Sequence, residues 1–107
     1  MDTDHIVVLC TVPNAGEGGR IGRALVNEGL AACVNLIDEL RSIYSWDGEL
    51  CDDPEALLVI KSSRERFEAL SARIVELHPY DVPEVIALPI VAGHRPYLDW
   101  IVQSVQK

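Results

Sequence analysis

Asp47-Gly48 separates two long segments rich in aliphatic, β-branched and aromatic residues, and this dipeptide restricts the fold more than any other in the chain. A two-residue type I′ turn needs positive φ at both central positions, and Asp-Gly adopts that conformation readily. The flanking segments are therefore read as one long antiparallel hairpin. Its first arm covers residues 30–37 and 42–46, with an irregularity expected at Asp38-Glu39. Its second arm starts at Glu49-Leu50-Cys51, breaks at Asp52-Asp53-Pro54 because proline removes a ladder donor, and resumes over 56–61.

The remaining elements fall around this hairpin. Residues 5–12 are apolar at odd and even positions alike, as in a central strand covered on both faces. Residues 16–28 are predicted helical, with Ile21, Ala24, Leu25 and Glu28 on one side and Gly29 as the stop. Gly16, Gly18, Gly19 and Gly22 weaken that helix. Ser62-Ser63-Arg64-Glu65 matches a capping box with Ser62 as the cap. It opens a second helix, reaching Leu77 and burying Phe67, Leu70, Ile74 and Leu77. Residues 84–90 read as a fourth strand. Pro96 fits the first turn of a last helix that buries Tyr97, Trp100 and Ile101.

The order β-α-β-β-α-β plus a terminal helix predicts an α+β, ferredoxin-like antiparallel sheet within one domain spanning residues 1–107. Right-handed crossovers place both main helices on one face. No element is left to cover the other face. That face and the overlong hairpin are expected to be buried against further subunits.

The charge balance excludes several functions. Nine Lys and Arg stand against 17 Asp and Glu, a net charge of −8. Such a surface repels the phosphates of nucleic acid and the headgroups of anionic membranes. Cys10, Cys33 and Cys51 form neither a disulfide framework nor a Cys-x-x-Cys metal knuckle, which suits a reducing compartment. The first five residues, Met1 to His5, are acidic where a signal peptide is basic. The longest apolar runs, residues 6–10 among them, are far short of the ~20 residues that span a bilayer. A soluble, cytoplasmic protein is expected. The glycines of residues 16–22 do not make a dinucleotide loop, because Ile21 stands where the last glycine would. No nucleophile–base arrangement is legible, and the chain is read as a non-enzyme.

Two residues and one loop carry the remaining chemistry. Cys10, mid-strand, is by default an inert buried thiol. His78, just past a helix, is by default a helix-end residue that favours the dipole. Together, a thiolate and an imidazole form a soft-to-borderline donor set suited to copper. The segment from His78 to Glu84 contains Pro79 and Pro83 and is stiff. It is either a connector or the wall of a pocket presenting Tyr80, Asp81 and Glu84, the two acids being auxiliary oxygen ligands at most.

Ala32-Cys33-Val34-Asn35, Ser42-Ile43-Tyr44-Ser45-Trp46-Asp47-Gly48, His78-Pro79-Tyr80-Asp81-Val82-Pro83-Glu84, Ala87-Leu88-Pro89-Ile90 and Tyr97-Leu98-Asp99-Trp100-Ile101 occur in that order. This set resembles the CutA divalent-cation tolerance family over nearly the whole chain. The resemblance implies a ferredoxin-like subunit in a tight homotrimer whose hairpins pair between neighbours. It also implies a cytoplasmic role in tolerance of copper and other divalent cations, with Cys10 and His78 as copper ligands. Leu77 stands where some members carry a further histidine, which implies weaker binding here. Asp38-Glu39-Leu40 replaces a frequent Pro-Gly-Val and touches strand geometry alone. The alternative is a trimeric regulator similar to the PII signalling proteins, binding a small effector between subunits. No metal is expected to be needed for folding.

Overall fold

The computed structural model describes residues 4–105; Met1, Asp2 and Thr3, part of the N-terminal stretch read above as unlike a signal peptide, lie outside them. In chain order the elements are β1 (His5–Val12), α1 (Ala15–Asn27), β2 (Cys33–Trp46), β3 (Glu49–Ser63), a 3₁₀ turn (Arg64–Arg66), α2 (Phe67–Leu77), β4 (Ile86–Pro89) and α3 (Arg95–Val105). The four strands form one antiparallel sheet in the order β2-β3-β1-β4. The expected ferredoxin-like order is present.

The hairpin turns where the dipeptide requires it. Asp47 has φ 52° and Gly48 φ 78°, positive at both positions. The register is shifted between Ile37 and Leu40, at the irregularity expected from Asp38-Glu39. The expected break at Asp52-Asp53-Pro54 is absent. β3 runs unbroken, with Pro54 opposite Arg41. β1 accompanies β3 only as far as Ala56, so Pro54 lies where β3 has β2 as its single ladder partner. A strand with one open side tolerates a missing donor.

Even-numbered residues of β1 face the helices. Val8, Cys10 and Val12 meet Ile21 and Leu25 of α1 and Leu70 and Ile74 of α2 in one buried cluster. α1 is capped by the Asn14 side chain, which accepts the Glu17 backbone N–H at 2.9 Å. Its buried face is Gly18, Ile21, Gly22 and Leu25, with Glu28 exposed rather than buried. Two of the glycines predicted to weaken α1, Gly18 and Gly22, let it approach the sheet. A Cβ on Gly18 would lie 2.8 Å from Leu36 and 3.1 Å from Val12.

Four further expectations give way. Ser62 does not cap α2. It sits in β3, fully buried, and its hydroxyl donates to the Leu30 carbonyl at 2.7 Å. The ladder with β1 continues through His5–Ser63, so α2 begins at Phe67 instead. β4 is four residues rather than seven, matching its pairing with Ile6 to Leu9 of β1. α3 buries Leu98, Ile101 and Val105, whereas Tyr97 and Trp100 lie exposed with ring centroids 5.5 Å apart. α3 contacts β3 and β1 and packs with Ala32 and Ile90, so the second sheet face is not bare. Away from α3 that face presents Ile37, Ile86 and Leu88 to solvent.

Candidate functional site

β1 places Cys10 opposite Leu58 of β3 with its side chain in the core, fully buried. Its thiol donates to the carbonyl of the adjacent Thr11, with Sγ 3.6 Å from the oxygen. Burial above all, with the nearby charges of Glu84 and then Glu55, pushes the thiol pKa up to about 12. At neutral pH it is a thiol, not a thiolate.

His78 closes α2. Pro79 disfavours a helical conformation at the preceding residue, and His78 accordingly has ψ 136°. Its backbone N–H still donates to Ile74 at 2.8 Å. The Arg20 guanidinium donates to the neighbouring Leu77 carbonyl at 2.6 Å, satisfying a helix-terminal acceptor. Arg20 also grips Glu17 at 2.8 Å, and this hydrogen bond holds the Glu17 carboxyl below its usual range.

The anchored imidazole turns toward β1. His78 Nε2 lies 2.8 Å from the Thr11 carbonyl, the same oxygen that receives the Cys10 thiol. His78 Nδ1 accepts the Tyr80 backbone N–H at 3.1 Å. A backbone N–H can only donate, so the ring proton resides on Nε2 and is given to Thr11. Both ring nitrogens are therefore engaged. The Tyr80 ring lies beside His78, centroids 4.7 Å apart, and its hydroxyl donates to Glu55 Oε2 at 2.7 Å. Glu55 is only 8% exposed. Burial, with this hydrogen bond and the carboxylate charge, raises the Tyr80 pKa.

The structure thus brings Cys10, His78, Tyr80 and Glu84 to one end of the sheet. Asp81 lies exposed in the same loop, and Leu77 packs against the core. Among the described residues no group of three or more His, Cys, Asp and Glu is arranged to hold a metal ion. The donor types, sulfur and imidazole nitrogen, fit copper. The observed geometry withholds them, because the thiol is buried and protonated and the imidazole has no free lone pair.

Glu55 is the site residue that sequence reasoning missed. Its signal was faint: an acid directly after Asp52-Asp53-Pro54, where β3 leaves the free hairpin and joins β1. The hairpin beyond it is held by Arg41 to Asp52 at 3.0 Å and by Tyr44 to Asp53 at 2.7 Å. The bond to Asp53 is the main cause that pushes the Tyr44 pKa up to about 12.

Comparison with known proteins finds relatives along nearly the whole chain. Residues 6–104 match the family model for the CutA1 divalent ion tolerance protein. The divalent-cation tolerance protein CutA of Thermus thermophilus is 52% identical over 95 residues, covering 89% of this chain and 92% of that protein. The chloroplastic protein CutA 1 of Oryza sativa is 44% identical over 102 residues, covering 95% of this chain and 58% of the rice protein. The crystal structure of CutA1 from Oryza sativa superposes with a TM-score of 0.95 at 43% identity, covering 98% of this chain and 96% of that one.

Proposed function

The chain belongs to the CutA1 divalent ion tolerance family, and on that premise we propose that it takes copper, or another divalent cation, as cargo at Cys10 and His78. The reading rests on one observation: thiol and imidazole, distant in sequence, converge on the single carbonyl of Thr11. Binding requires both donors to lose their present partners. The imidazole must release Thr11 or Tyr80, and the thiol must lose its proton. Affinity therefore falls as the solution is acidified. Glu84 is the acid best placed to assist.

The proposed working form is a cytoplasmic homotrimer. The hairpin supports this, since Ile43, Trp46 and Leu50 project from it into solvent in a single subunit. The three free cysteines support a reducing compartment. No helix among the described residues is long and apolar enough to cross a membrane.

A copper titration under reducing conditions, read by competition with a chromogenic chelator, tests the site. Cys10→Ser and His78→Ala should each weaken binding at least tenfold, and Leu77→His should strengthen it. Equal affinities across all four proteins would leave Cys10 a core residue and His78 a helix-end residue.

A further inference from the structure

The segment joining α2 to β4, residues 78–85, contributes nothing to the sheet ladder. Arg20 fixes its near end through Leu77, and β4 fixes its far end at Ile86. Among the described residues, two hydrogen bonds tie it to the sheet between those points. One runs from His78 to Thr11, and the other from the Tyr80 hydroxyl to Glu55. Pro79, Asp81, Val82 and Glu84 face solvent.

Glu55 makes the second tie unusual. Its carboxylate is buried, no basic side chain pairs with it among the described residues, and the Tyr80 hydroxyl is its hydrogen-bond donor. A buried carboxylate deprived of its donor incurs the full penalty of desolvation and regains hydration only if the segment above it lifts. The contact therefore has two satisfied arrangements, closed on tyrosine or open to water. Lifting Tyr80 also removes the N–H that occupies His78 Nδ1 and loosens the imidazole from Thr11, the carbonyl that the Cys10 thiol shares.

We propose that the Tyr80 hydroxyl and the Glu55 carboxylate form a latch that closes residues 78–85 over the Cys10 thiol and holds His78 away from any ligand. Both are positioning residues. The latch stands on its own hydrogen bonds, and its bearing on copper rests on the reading above.

The test measures thiol access directly. In a Cys33→Ser, Cys51→Ser background, Cys10 is the only thiol, and its alkylation by N-ethylmaleimide is followed by mass. Tyr80→Phe removes the hydroxyl and keeps the ring, so it should accelerate labelling by about tenfold to a hundredfold, the range expected for loss of a hydrogen bond to a charged group. Glu55→Gln keeps an acceptor without the charge and should give an intermediate rate. Combining the two should add little to Tyr80→Phe alone, because both act on one contact. Ile101→Ala, a cavity variant in α3 far along the chain from the loop, should label like the parent.

Labelling of Tyr80→Phe within twofold of the parent would overturn the latch. So would equal acceleration by Ile101→Ala, which would mean access through general unfolding. Copper affinity, measured on the same proteins, separates the two readings. Faster labelling with tighter copper binding supports both. Faster labelling with unchanged copper affinity keeps the latch and removes Cys10 and His78 as the copper site.

Discussion

Cys10 shows how one side chain couples fold and chemistry. An unfolded thiol ionises near ~8.5, whereas in the folded chain burial holds the proton to about 12. The native state therefore keeps a proton that the unfolded chain releases. The resulting stability is complete below the unfolded pKa and drains away as pH rises toward the folded one. Stability should fall by about 1.4 kcal/mol per pH unit from this group between roughly pH 9 and 11. Denaturant titrations of the parent and Cys10→Ala at several alkaline pH values test it. Tyr44 and Tyr80 also have raised pKa values and contribute equally to both proteins, so the difference in slope isolates Cys10. Parallel slopes would mean that the thiol reaches water. The burial of Cys10 was legible from its place in an apolar strand, and the turn of His78 from the proline after it. Glu55 was not legible, because side-chain period alone does not say which acid of a run meets a loop 25 residues later.

At the scale of elements, the glycines of α1 carry two opposite meanings that sequence reading merged into one. Gly18 faces the sheet, where an added Cβ would collide with Leu36 and crowd Val12. Gly19 faces outward, where an added Cβ meets only the guanidinium end of Arg23, itself on an exposed residue. Gly18→Ala should therefore destabilise by about 1–3 kcal/mol through overpacking. Gly19→Ala should stabilise by about 0.4–1 kcal/mol by restricting the unfolded chain. Chemical denaturation midpoints decide it, and a shift of the same sign in both would refute the assignment of faces. The hairpin was readable because Asp47-Gly48 leaves few alternatives. The start of α2 was misread because Ser62 satisfies a local capping rule, whereas the ladder to β1 holds it in the strand. Tertiary pairing outranked a local signal there.

The whole molecule is elongated, 44 × 27 × 22 Å, because the hairpin extends beyond the region that β1 accompanies. Trp46, at its tip, is 60% exposed, and Leu50 is 80% exposed. Exposed side chains of that size on a two-stranded arm contribute little to a lone subunit, and truncating one there shifts stability by about 0.5 kcal/mol or less. If a trimer buries the arm, the same truncation removes a large aromatic from an interface core and costs about 3–5 kcal/mol per subunit. Trp46→Ala thus distinguishes the two states of the molecule. In the parent, unfolding coupled to dissociation should raise the melting midpoint with protein concentration. In Trp46→Ala the midpoint should be lower and should depend more steeply on concentration. Light scattering at micromolar concentration supplies the mass, expected at three subunits for the parent. A monomeric mass, with midpoints unmoved by the mutation or by a hundredfold dilution, would mean that the apolar arm is stable in water and that its burial lies outside the working form.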